Sequence, residues 1–401
     1  MLKDKITSSI GILPKEEMLE LKPNFKKLQI GIPKETSFQE NRVSLTPESV
    51  ALLVNNGHKI IIETGAGNAS SYSDEEYSKN GAVIVYSKDE VYKCDMIIKI
   101  EPPTKSELNL MQFNQVLISA VQLNTQSNEF FNILNKKSIT ALGFEFIRDG
   151  QGKLPIVRSM SEIAGNTSLL IAAEYLSNVN KGKGMMLGGI TGLVPTNVVV
   201  IGAGTVGQYA CRTALGLGAS VIVFDNSLSK LKRLQDNINQ RVSTSSFQPN
   251  ILLKALKRAD VVVSAVQIGN GKVPQIVSEE MVMEMKNGTV VIDVSIDKGG
   301  SFETSEITSH NAPVLTKHGV IHYCVPNIPS RVSRTASISI SNILTNILIS
   351  IAEDGGVEKS IRKNESLRDG VYMFNGYMTN ELLSTKFDFQ YKDLNLIMSA
   401  I

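Results

Sequence analysis

The sequence predicts an α/β protein built from two doubly wound, parallel-sheet domains of Rossmann type with a cleft between them. Three observations carry this. Short Val- and Ile-rich runs alternate with helix-length segments along most of the chain. One of those runs, VVVIGAGTVGQYA, passes directly into a glycine-rich turn and an alanine-rich helix. A chain of 401 residues is also long enough for two separate cores.

Taken in order, KLQIGIPKE reads as a short strand running into a loop. TPESVALLVNNGH is a helix with Thr46 as N-cap and Pro47 at the first helical position, where a missing N–H costs nothing. KIIIETGAG is a strand closed by a glycine turn, and SDEEYSKNGA is a short helix behind a serine cap. AVIVYS, DMIIKI, VLISAV and SITALGFE are further strands. A second block has the strands NVVVIG, SVIVFD, DVVVSAV, TVVIDVS and VIHYCV. Helical segments such as VGQYACRTALGLG and PNILLKALKRA stand between them. NVNKGKGMMLGG, rich in Gly and Lys, reads as a flexible approach to that block. After Arg334 the chain turns helical in SISISNILTNILISIAEDG, which is expected to return to the first domain. The division is then an N-terminal extension over 1–28, a discontinuous substrate domain over 29–155 and 334–401, and a nucleotide domain over 156–333.

Composition excludes several classes. A net charge of +2 with both signs interspersed gives no electrostatic footprint for nucleic acid or an acidic membrane. Cys94, Cys211 and Cys324 and the four histidines form no metal-ligand spacing, so no metal and reduced thiols are expected. The N-terminus lacks an apolar signal core, and ISISNILTNILISIA reads as too short and too polar for a membrane span. The expectation is a soluble cytoplasmic protein.

Gly202, Gly204 and Gly207 form a G-x-G-x-x-G set between a strand and a helix, with Asp225 closing the next strand about 20 residues on. Gly202 allows the tight turn, and Gly204 lets backbone amides approach a pyrophosphate at the helix N-terminus. Asp225 can accept from the adenosine ribose and would repel a 2′-phosphate, which favours NAD over NADP. A plain helix cap is the other reading of Asp225.

Outside the fingerprint the residues leave alternatives open. Arg42 lies in a polar loop after the first strand and either clamps a substrate carboxylate or makes a surface ion pair with Glu40 or Glu35. Asp297 follows a strand of the second block, where it faces the nicotinamide, activates a water or merely forms a turn before Gly-Gly. Ser161 reads as a helix cap, and His322 as a satisfied strand histidine. Lys99 interrupts the apolar run MIIKIEPP, either as a snorkelling edge residue or as part of a site.

Read together, GIPKET, ENRVSLTPE, ETGAG, MSEIAGN, GKGMMLGGITG, VVVIGAGTVG, VIDVSIDKGGSFETS and HYCVPNIP resemble the alanine dehydrogenase family, in its order, over roughly residues 29–350. That family shares its fold with the NAD(H)-binding component of proton-translocating transhydrogenase. The resemblance implies NAD in the cleft, oxidative deamination of L-alanine to pyruvate and ammonia, and a homo-oligomer, hexamer or dimer. It implies that Arg42 grips the substrate carboxylate. By the same match Gly202, Gly204, Thr205, Val206 and Asp225 contact pyrophosphate and ribose, and Ser161, Lys230, Val266, Asp297 and Asn327 surround the cofactor. Lys99 would then reach the substrate's carbonyl or imine oxygen by a shifted geometry. At two positions the pattern differs. The family's second lysine in the Lys99 strand is here Glu101, which as an anion repels a carboxylate, and its histidine is here Gln122, which moves no proton at neutral pH. A transhydrogenase-like NAD(H)-binding subunit and a saccharopine-type dehydrogenase for a larger amino acid are the alternatives.

Overall fold

The computed structural model describes residues 25–122, 125–267 and 271–399, so most of the expected N-terminal extension lies outside the described residues. The strands in chain order are β1 (Gln29–Ile32), β2 (Lys59–Glu63), β3 (Val83–Val85), β4 (Met96–Ile98), β5 (Val116–Ser119) and β6 (Thr140–Gly143). They continue with β7 (Asn197–Ile201), β8 (Ser220–Phe224), β9 (Ser243–Ser245), β10 (Val261–Ser264), β11 (Val290–Asp293), β12 (Val314–Lys317) and β13 (Val320–Tyr323). The last two are β14 (Val371–Phe374) and β15 (Tyr377–Met378).

Among the described residues these make two sheets. The first runs β3-β2-β1-β4-β5-β6-β14-β15 and the second β9-β8-β7-β10-β11-β13-β12. In both, the chain starts mid-sheet, builds outward through three parallel strands, then crosses back to build the other half. That reversal opens a crevice beyond the strand ends, between β1 and β4 in the first sheet and between β7 and β10 in the second. Three strands escape an all-parallel reading. β12 pairs antiparallel with β13, β14 with β6, and β15 with β14. Each extends a sheet at its edge, where short polar-interrupted segments such as VYMFNGYM carry little periodic signal.

β1, β4, β7, β10 and β11 are almost continuously buried, as strands covered on both faces must be. The helix Ser333–Glu353 packs Ile340, Leu344, Leu348 and Ile351 into the same core as Ile30, Ile32 and Ile98. At 21 residues and mean hydropathy 1.5 it is longer and more apolar than the sequence reading allowed, enough by length and composition to cross a membrane. Half of that stretch is buried here, the place of a core helix. The glycine- and lysine-rich segment before β7 is pinned rather than free. Gly184 and Met185 donate to the Leu176 carbonyl, and Gly189 donates to Leu217.

His322 is fully buried, with Nε2 2.8 Å from the Thr304 hydroxyl and Nδ1 3.1 Å from the Val320 carbonyl, a satisfied strand histidine. All three cysteines are free and buried. Because Leu344 is fully buried in the first core, Leu344→Ala is expected to lower the unfolding free energy by about 2–5 kcal/mol. Denaturant titration followed by circular dichroism measures it.

Candidate active site

Each crevice receives the loops that leave its sheet. At the second sheet, β7 runs into Gly202, whose φ of +107° suits only glycine without strain. A Cβ at Gly207 would stand 1.9 Å from the Gly202 carbonyl oxygen, so helix and strand approach this closely only without side chains. The helix Thr205–Gly216 begins at Gly204 with no side chain capping it, which leaves its first amides directed at the cleft. A Cβ at Gly204 would meet nothing within 4 Å, the open side of a cradle.

The cleft over this turn has a volume of about 1210 Å³. Gly202, Gly204, Thr205, Val206, Asp225, Lys230, Val266 and Ser161 all line it, so the fingerprint residues and three of the more distant candidates converge on one cavity. Arg158, Tyr209, Arg233 and Gln267 also line it and carried no motif in the sequence. The Asp225 carboxylate accepts from the amides of Ala203 and Ser227, both at 2.8 Å, so it braces the turn and the start of the next helix. These features fit a dinucleotide: uncapped amides and a glycine cradle for the pyrophosphate, and a carboxylate at the ribose end.

Ser161 is not a helix cap. The helix starts six residues earlier at Pro155, and Ser161 lies inside it with its hydroxyl donating to the Val157 carbonyl at 2.8 Å. Proline at the first position fixed that start, and the apolar stripe before Ser161 is too weak to show it.

The first sheet's crevice is ionic. Arg42 and Glu40 sit in the loop after β1. The Arg42 Nε and Nη2 donate side by side to the two Glu40 carboxylate oxygens at 2.7 and 2.5 Å. Glu40 also accepts from the Arg42 amide and from the Asn327 side chain at 3.0 Å. This is no surface pair, since the side chains are 10% and 1% exposed. The remaining face of the guanidinium touches Met160 through Nη1 at 3.6 Å and stands 3.7 Å from a Glu101 oxygen through Nη2. Asp297 lies in the short helix Val294–Lys298 after β11, where burial lifts its carboxyl to about 6 against the Asn327 amide and the charge of Arg42. Asn327 and Asp297 thus stand beside the Glu40–Arg42 pair from the second sheet, and neither lines the nucleotide cleft.

Lys99 does not snorkel. Its ammonium is unexposed, 3.0 Å from Glu107 and 3.5 Å from Glu35, and Glu107 is also held by Lys88 at 2.9 Å. Two carboxylates therefore engage the ammonium that the sequence reading aimed at substrate, and it has no surface on the cleft. Glu107 is placed there by a Thr104–Glu107 capping box, legible as TKSE but not sought as a site. Burial opposes ionisation of Glu107, but Lys99, Lys88 and the Thr104 amide outweigh it and hold the carboxyl at about 2. Burial wins at Glu35, raised to about 7 despite Lys99.

Glu101 lies in the loop after β4 and takes a hydrogen bond from the Gln122 side-chain amide, so the two positions that depart from the family pattern touch each other. Gln122 is held at φ +50°, with its backbone amide and that of Val121 donating to Glu145. Burial and the neighbouring Glu40 raise the Glu101 carboxyl to about 8, and Arg42 opposes this. At neutral pH Glu101 is therefore a carboxylic acid, and the expected repulsion of a substrate carboxylate is absent.

The Arg42 loop is held from far along the chain. Val43 and Thr46 donate their amides to the hydroxyls of Ser337 and Ser341, both at 2.9 Å, and Asn41 donates to Ser330 at 2.8 Å.

Comparison with known proteins agrees with this architecture. Residues 31–164 match the alanine dehydrogenase/PNT N-terminal domain and residues 168–381 the alanine dehydrogenase/PNT C-terminal domain. The chain belongs to the alanine dehydrogenase/PNT family. Among its relatives, alanine dehydrogenase of Methanococcus maripaludis is 40% identical over 364 residues, covering 90% of this chain and 97% of the relative. That of Staphylococcus epidermidis is 37% identical over 368 residues, covering 92% and 99%. A solved L-alanine dehydrogenase superposes with a TM-score of 0.83 at 32% identity over 90% of this chain and 99% of that one. Transhydrogenase from Sinorhizobium meliloti, at 22% identity and a TM-score of 0.74 over 88% and 99%, shares the fold.

Removing one member of a buried ion pair strands the other. Lys99→Met is expected to cost about 3–5 kcal/mol of stability. Because Glu107 is held near 2 in the fold and titrates near 4.5 when unfolded, its contribution is complete above pH 4.5 and is lost as pH falls toward 2. Unfolding titrations of wild type and Lys99→Met should converge over that interval.

Proposed function

We propose that this chain catalyses the NAD-dependent oxidative deamination of L-alanine to pyruvate and ammonia, and the reverse. The observation that carries the reading is Arg42. Its Nε side is spent on Glu40, while Nη1 makes its one hydrogen bond to Met160, so donors remain for a substrate carboxylate. The family membership, and relatives of 37–40% identity matched over nine-tenths of the chain or more, support the same activity.

Bound NAD would supply the hydride acceptor. The amides of Thr205, Val206 and Gly207 would face its pyrophosphate, and Asp225 its adenosine ribose, where a 2′-phosphate would meet like charge. Ser161, Lys230 and Val266 supply further walls of the cofactor cleft. Asp297 and Asn327 sit where they can order substrate and water against Arg42, and Lys99 acts as a positioning residue that fixes the end of β4. Residues 29–155 with 334–401 form the substrate domain in this reading, and 156–333 the NAD domain. We place the protein in the cytoplasm, in keeping with its free cysteines. We also take it as a homo-oligomer, hexamer or dimer. The segment before β7 exposes Met186, Ile190, Leu193 and Val194, an apolar surface that a second copy would cover.

Incubation of the purified chain with L-alanine and either NAD or NADP tests the assignment. NADH formation with a marked preference over NADP is the expected result. No turnover at high enzyme concentration, or equal use of both cofactors, would overturn it. Asp225→Gly should narrow the preference by admitting the 2′-phosphate.

A further inference from the structure

Glu101 and Glu40 come from different loops of the first crevice and flank the same guanidinium nitrogen. Nη2 of Arg42 is 2.5 Å from Glu40 Oε2 and 3.7 Å from Glu101 Oε1. The two carboxyl groups thus crowd one cation, and crowding of this kind is relieved when one of them carries a proton. Gln122 decides which oxygen can hold it. Its amide donates to Glu101 Oε2, which leaves Oε1, on the Arg42 and Glu40 side, for the proton. Glu40 already accepts from three donors of Arg42 and from Asn327, so it is the anion of the pair.

The surrounding charges are accounted for from each element. The loop after β1 contributes Glu35, Glu40 and Arg42, and the loop after β5 contributes the uncharged Gln122. The short helix after β11 brings Asp297 within the field of Arg42. Lys99, two residues before Glu101, is engaged by Glu107 and Glu35. Unlike Lys99, Glu101 keeps 11% of its side chain exposed.

We propose that Glu101 is the acid–base group of the reaction, passing the proton it shares with Glu40 to and from the substrate. The inference rests on the alanine deamination proposed above. Once the substrate is oxidised to the C=N state, water adds to that carbon, and its O–H bond breaks with the proton moving to ionised Glu101. Glu101 then gives that proton to the nitrogen, the C–N bond breaks with its electron pair on nitrogen, and the remaining hydroxyl proton moves through Glu101 to the departing ammonia as the carbonyl forms, leaving ammonium. The carboxyl begins and ends in the same state, so no further reactant is needed. Gln122 is a positioning residue that turns Oε1 toward the substrate.

Glu101→Gln keeps the shape and neutrality of the acid and removes the proton transfer. Its kcat for alanine deamination is expected to fall about 10²–10⁴-fold, with NADH affinity, read by fluorescence, unchanged. Wild-type kcat should rise as pH passes through about 8, an inflection that Glu101→Gln loses and Glu101→Asp retains at a displaced pH. Difference infrared spectra should show a protonated carboxyl that disappears over the same range in wild type and is missing from Glu101→Gln. A Gln variant within tenfold of wild type, one that keeps the inflection, or identical carboxyl bands in both proteins would overturn the inference. Absence of alanine turnover by wild type would instead overturn the proposed function and with it the role, while the infrared titration still decides whether the shared-proton pair exists.

Discussion

A guanidinium buried between two sheets must be neutralised where it stands, and Glu40 does this for Arg42. The pairing uses one edge of the planar fork and leaves the other, so a single residue is both structurally satisfied and able to bind an anion. Glu40 in turn accepts from Asn327 of the chain leaving the second sheet. The carboxylate that neutralises the arginine therefore joins the two crevices. A neutral residue at 40 would leave Arg42 uncompensated and cut that link with one change.

Below this pair lies a second ionic group with the opposite character. Lys99 stands between Glu107 and Glu35 with no exposed surface, and Lys88 holds Glu107 from the outer side. Two residues further along the chain, in the loop after β4, burial and Glu40 together push the Glu101 carboxyl up while Arg42 opposes them. Charge in the site is thus sorted by depth. The deeper group keeps the Glu107 carboxyl ionised against Lys99, and the shallower Glu101 carboxyl is pushed the other way.

Much of this was legible in the sequence. Gly202, Gly204, Gly207 and Asp225 could be assigned because their chemistry is local: one turn, one helix end and the strand after it. The doubly wound order followed from strands alternating with helices, and β14 and β15 were lost because a short antiparallel edge has no such rhythm. The first crevice was harder. Arg42 stood out, but its partner two residues away read as a surface neighbour, and burial is a property of the packed sheets rather than of ENRV. Lys99 looked like a lysine in search of a ligand because Glu107 reaches it only when β4 and the following helix fold back together. The Glu101–Gln122 contact joins the loops that follow two adjacent parallel strands, so neither residue read alone revealed its partner.

The serines of SISISN have a different kind of importance. Ser337 and Ser341, one helical turn apart, receive the amides of Val43 and Thr46, which have no strand to pair with. No atom of that helix needs to touch a ligand for the Arg42 loop to depend on it. During synthesis the strands around Arg42 emerge first, yet its loop waits for residues made almost 300 positions later. The glycine turn of the second sheet is instead braced by Asp225, itself held by Ser227, only 22 residues on, so the two crevices are completed over very different spans of chain.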